Sequence, residues 1–172
     1  MFPFLYEEFV EGNIDTPFQK NIYIRELSES AKTVSGERVV ENLEKPEIAM
    51  LDLLQEVRFN LGYALAATHS YRNGDKDTAS LHFVKSCLFG TRNYIIFKTK
   101  KFLVSFDEAV EESRRLDLGE YKDLPQYAGD LRRRKAVLDS SLLFHNISYL
   151  NNFIEKQFLE EFKKSGNEVY IK

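Results

Sequence analysis

Tyr71-Arg72-Asn73-Gly74-Asp75-Lys76-Asp77 stands between two long apolar-patterned stretches, and its reading decides the fold. Asn-Gly-Asp breaks a helix within two or three residues. Upstream of it, Ile48, Leu51, Leu54, Leu61 and Leu65 recur at helical steps, with Arg58 on the same stripe. Pro46 suits a first helical position, and Glu47 behind it complements the positive end of the helix dipole, so a helix is predicted from Pro46 to about Arg72. Downstream, a second helix is predicted from near Asp77. It carries Phe83, Val84, Cys87, Leu88, Thr91, Tyr94 and Ile95 on one side and fades at Lys98–Lys101. Two long helices joined by so tight a turn lie antiparallel.

Further along, Ser105-Phe106-Asp107-Glu108 fits a capping box and starts a short helix ending near Leu116. Pro125 opens another helical stretch to about Glu161, with Leu143, Ile147, Leu150, Ile154, Phe158 and Phe162 as its ridge, and Gly166 stops it. Residues 1–45 differ in kind. They hold Pro3, Gly12, Pro17 and Gly36 without a sustained helical period. Residues 21–27 alternate apolar and polar side chains, and residues 32–40 follow as a second short run, so the pair reads as two strands. The expected architecture is mainly α, an up-and-down bundle of four or five helices with a small N-terminal β arm. Its parts are an arm (1–45), the bundle (46–164) and a tail (165–172) able to add a short strand.

Composition narrows the function classes. Leu, Phe, Val and Ile make up about 31% of the 172 residues, enough for a packed core. The net charge of −3 gives no bulk grip on nucleic acid or an anionic membrane. Cys87 is the single cysteine, which excludes an intrachain disulfide or a cysteine zinc site. No apolar run approaches the roughly 20 residues that span a bilayer. Acidic residues follow the apolar start, unlike a signal peptide, so a cytoplasmic domain is expected.

Residues 72–87 (Arg72-Asn73-Gly74-Asp75 through Ala79-Ser80-Leu81-His82 to Cys87) resemble the "Gly-Asp, then Ala-x-x-His" opening of the second helix in HEPN domains, four-helix bundles found fused to or beside nucleotidyltransferases. Thr91-Arg92-Asn93-Tyr94, Phe102-Leu103-Val104-Ser105-Phe106-Asp107-Glu108-Ala109 and Gly129-Asp130-Leu131-Arg132-Arg133 resemble, in order, the helical C-terminal domain of streptomycin-type aminoglycoside nucleotidyltransferases. The resemblance covers about two thirds of the chain. It implies a bundle that forms one wall of a cleft for nucleotide and acceptor.

The departures bear on activity. Those enzymes carry a Gly-Ser loop and an Asp-x-Asp strand in a separate catalytic domain. Here no Gly-Ser occurs, and Asp75-Lys76-Asp77 has the spacing but opens a helix. Where the family's C-terminal domain places a phosphate-contacting lysine, this chain has Phe106, which cannot neutralise phosphate. HEPN ribonucleases pair an arginine and a histidine within about one and a half turns of helix. The pairs here, Arg58 with His69, Arg72 with His82 and Arg134 with His145, are further apart.

Arg92, Arg58 and Arg132 are the candidate ligand-binding residues, each able to grip a phosphate or carboxylate bidentately. Against this stands a plainer role, a stem that packs while the head reaches water. Arg132-Arg133-Arg134-Lys135 is the densest basic run, but its side chains point about 100° apart along a helix and equally describe a solvated face. His145 is the one candidate general base, and equally a packed bundle histidine. Ser105 reads as a cap, Cys87 as inert core, and no metal-ligand spacing occurs. Phe2, Phe4, Leu5, Tyr6, Phe9 and Phe18 supply hydrocarbon for docking on the bundle or for a subunit contact.

The expected function is a binding one, an accessory or substrate-recognising subunit, not an enzyme on its own. Its expected partner is a second copy or a separately encoded minimal nucleotidyltransferase, with no cofactor expected beyond an optional bound nucleotide, no membrane, and nucleic acid left open though not indicated. The alternatives are a divergent, toxin-like HEPN ribonuclease using His145, and a purely structural dimer.

Overall fold

A computed structural model describes residues 7, 8, 11 and 19–172. The fold is mainly α. Helices α1 (Lys20–Ser30), α2 (Met50–Arg72), α3 (Lys76–Thr99), α4 (Phe106–Ser113), α5 (Leu124–Arg132), α6 (Ser141–Ser148) and α7 (Lys156–Ser165) are joined by short 3-10 turns at Val40–Asn42 and Gly119–Tyr121. The last two helices are one continuous rod whose middle, Tyr149–Glu155, is wound as a π-helix.

The hairpin of α2 and α3 is the spine. Asp75 caps α3 by accepting from the amide of Thr78 at 3.0 Å. Leu53, Leu54 and Val57 of α2 meet Phe83, Cys87 and Leu88 of α3 in a core closed by Leu150, Ile154 and Phe158 of the rod. The rod approaches α3 at Gly90, where a Cβ would collide with the side chain of buried Leu150. The capping box forms at α4: the Glu108 amide donates to Ser105 Oγ at 3.1 Å, and the Ser105 amide to Glu108 Oε2 at 3.4 Å.

Three expectations are corrected. Residues 21–27 are not a strand but lie within α1, and residues 32–40 form no strand either. The apolar alternation misleads because Ile22, Arg25 and Glu26 sit at helical i, i+3, i+4 steps facing the bundle, and Arg25 pairs with Glu29 one turn on, at 3.1 Å. The first long helix begins at Met50 rather than Pro46. Ile48–Ala49 (β1) instead pairs antiparallel with Val169–Ile171 (β2), the strand expected in the tail. The α2 start is closed by the Ala49 amide on Asp52 Oδ2 at 2.8 Å and the Met50 amide on the Glu168 carbonyl at 2.9 Å.

The stretch from Pro125 is two helices, not one. Arg134 takes a left-handed φ of 57°, with its amide on the Leu131 carbonyl (3.0 Å) and the Lys135 amide on the Asp130 carbonyl (2.8 Å). That is a Schellman stop, with arginine where glycine is the common choice. Tyr127 holds the connection that follows, its hydroxyl donating to the Val137 carbonyl and accepting from the Asp139 amide. Phe2, Phe4, Leu5, Tyr6, Phe9 and Phe18 lie outside the described residues. Among those described, no helix is long and apolar enough to cross a membrane.

Candidate functional site

Arg92 is the largest fully buried side chain of the described residues. It stands on α3 under α1, where Nη1 donates to Glu26 Oε2 at 2.8 Å. The guanidinium carbon lies 4.8 Å from the ring centre of Phe89, a cation–π contact. Nε, equally buried, has no hydrogen-bond partner.

A second carboxylate stands beside this pair. Glu56 on α2 is buried, accepting from the Gln19 amide and from Asn60 Nδ2, each at 3.3 Å. Burial raises its pKa above the usual carboxylate value, an effect opposed by the Gln19 amide, the Arg92 charge and Asn60, and reinforced by Glu26. A cavity of about 80 Å³ separates α1 from the bundle here, lined by Gln19, Ile22, Tyr23, Glu26, Glu56, Phe89 and Arg92. The arrangement is one buried guanidinium paired to a carboxylate from a helix laid over the bundle, with a second carboxylate, from the bundle itself, lining the same cavity.

The α1 helix has a second anchor. Arg25 donates to the carbonyls of Pro46 (3.4 Å) and Lys172 (3.3 Å), tying it to the approach to β1 and the exit from β2, which share one end of the antiparallel pair. Its buried positions are only Ile22, Ile24 and Arg25, so polar contacts carry much of its docking.

Arg92, Arg58 and Arg132 do not converge. Arg58 Nε meets Glu155 Oε1 at 2.8 Å, joining α2 to the π segment at the surface. Arg132 and Arg133 both reach Asp107 Oδ1, at 3.3 and 3.0 Å, joining α5 to α4. Each candidate arginine is closed by a carboxylate of a different element. His145 packs half-buried against the ring of Tyr121, with centroids 4.7 Å apart. Cys87 is fully buried, and burial pushes its thiol up to about 12, which removes the thiolate needed for reactivity. Among the described residues, no group of three or more His, Cys, Asp or Glu side chains is placed to hold a metal ion.

Glu26 and Glu56 were not among the candidates read from the sequence. A signal existed for Glu56, since it shares the helical stripe of Leu53, Val57 and Asn60, where an acid is out of place. Glu26 gave none, because its segment reads as a strand. Comparison with protein families, with curated proteins and with solved structures finds no match to this chain.

Proposed function

We propose that this chain is a non-catalytic, HEPN-like helical binding subunit of a nucleotidyltransferase system, and that it recognises an anionic group on Arg92. The observation that carries this reading is the buried Arg92 guanidinium, met by the carboxylate of a lightly docked helix rather than by the bundle's own counterion alone. A buried arginine holds carboxylates and phosphates in the same fork geometry, so Glu26 occupies the place of an acidic ligand. The order of motifs in residues 72–133 supports the nucleotidyltransferase context, and Phe106 with the missing Gly-Ser loop supports a binding role over a catalytic one. Solvent reaches the half-exposed Glu26 from outside, which gives a competitor its approach.

Calorimetric titration with ATP and GTP, with and without magnesium, tests this reading. The expected result is saturable binding that falls at least about tenfold in Arg92→Gln, the scale of one charged hydrogen bond. Cleavage of RNA by the purified chain, lost in His145→Ala, would overturn the reading in favour of a ribonuclease.

A further inference from the structure

Ion pairing closes Arg58, Arg92, Arg132 and Arg133 within the chain, and one pocket breaks that habit. At the C-terminal end of α3, a cavity of about 370 Å³ is lined by Lys98, Asp117, Tyr94, Phe153 and Gln157 together with Leu116 and Gly119. Lys98 and Asp117 are both exposed and face the same space, and no ion pair joins either to a described residue. Lys98 Nζ instead rests over the rings of Tyr94 (5.3 Å) and Phe97 (5.1 Å). Asp117 uses Oδ1 to accept the Gly119 amide at 3.0 Å, which leaves Oδ2 for another donor.

Between the two charges the wall is aromatic. Phe153 is half-buried, and its ring centre lies 5.4 Å from that of Tyr94. The Tyr94 hydroxyl donates to Gln157 Oε1 at 2.9 Å, which fixes that side chain and leaves its amide nitrogen as a donor. Phe153 belongs to the π-helical turn of Tyr149–Glu155, and Gln157 follows it. A π segment inside an α-helix shifts the side chains beyond it around the axis, and such segments recur at functional sites. The volume lies within the range of small-molecule sites, roughly 300–1,000 Å³.

We propose that this pocket binds a planar aromatic molecule carrying an N–H donor at one edge and an anionic group at the other. The ring lies on Phe153, the donor meets Asp117, and the anion meets Lys98 with the Gln157 amide beside it. Two sources supply this chemistry, an aromatic amino acid and a nucleoside monophosphate. The site is separate from the Arg92 groove and does not depend on it.

The test is calorimetry of the full chain with L-tryptophan in one arm and adenosine monophosphate in the other, repeated with Lys98→Gln, Asp117→Asn and Arg92→Gln. Lys98 and Asp117 are exposed, so their variants keep the wild-type melting temperature. The expected result is a saturable binding component in one arm or both that Lys98→Gln and Asp117→Asn each weaken about tenfold and that persists in Arg92→Gln, whatever that change does to binding in the Arg92 cavity. No saturable binding of either molecule at millimolar concentration, or binding indifferent to Lys98 and Asp117, overturns the proposal. Should Arg92→Gln fail to fold, chemical-shift changes confined to residues around Tyr94, Asp117 and Phe153 in the wild type serve the same purpose. Changes around Phe89 and Glu26 instead contradict it.

Discussion

Arg92 and Glu26 are 66 residues apart in sequence, yet Arg92 Nη1 and Glu26 Oε2 lie 2.8 Å apart across the seam between α3 and α1. Glu56 lines the same cavity, within the influence of the same positive charge. Removing one partner of a buried ion pair commonly costs about 3–5 kcal/mol, because a charge is stranded. Here a second carboxylate remains.

Glu26→Gln is therefore expected to cost only about 1–2 kcal/mol, below that usual range. Glu26→Gln with Glu56→Gln strands the guanidinium and should exceed the sum of the single changes by about 1 kcal/mol or more. Urea denaturation of the four proteins in the cycle measures this coupling. Additivity would mean that Glu56 gives Arg92 no support.

Glu56 also sets a pH dependence. Its folded pKa is raised above 4.5 by burial, so across the interval from 4.5 up to that raised value the folded state binds more protons than the unfolded state. Stability then falls as pH rises through this interval. Glu56→Gln abolishes that component, and Glu26→Gln reduces it by removing a neighbouring negative charge. Unfolding free energies of wild type and both variants across pH 4–8 check the sign. A wild-type stability that gains on Glu56→Gln as pH rises would refute it.

Gly90→Ala places a methyl group against Leu150, which is itself fully buried and has no room to retreat without repacking. Overpacking of this kind costs about 1–3 kcal/mol. A lowered melting temperature is expected, and in Gly90→Ala/Leu150→Val, where the colliding Cδ atom is gone, the combined loss should fall short of the sum of the two single changes.

Arg134 holds a left-handed φ of 57° at the end of α5. That conformation costs a non-glycine residue about 1–2 kcal/mol. Glycine avoids it but gives up some entropy on folding, so Arg134→Gly should stabilise by a few tenths to about 1 kcal/mol. Thermal denaturation reads the change, and a clear loss of stability would show that the arginine side chain contributes more than its backbone costs.

These positions show what the sequence discloses. The α2–α3 hairpin and the Ser105 cap were legible because local residues dictate them: a breaker triplet between two apolar stripes, and a serine three residues before a glutamate. The α5 stop was hidden because arginine occupies the left-handed position, and the start of α2 because Ile48–Ala49 pairs with a strand about 120 residues away. The Arg92 site was half legible. An arginine among Thr91, Tyr94 and Ile95 stood out, but its counterion lies on a helix whose alternating residues imitate a strand. Nothing in the local sequence of Glu26 says what it will meet.

Releasing the carboxylate that occupies Arg92 tests the central claim most directly. ATP and GTP, each with and without magnesium, are titrated by calorimetry into wild type and Glu26→Gln side by side. The account predicts binding about tenfold tighter in Glu26→Gln, since the nucleotide no longer displaces a charged partner. Equal affinity in the two proteins, or no binding in either, would contradict it.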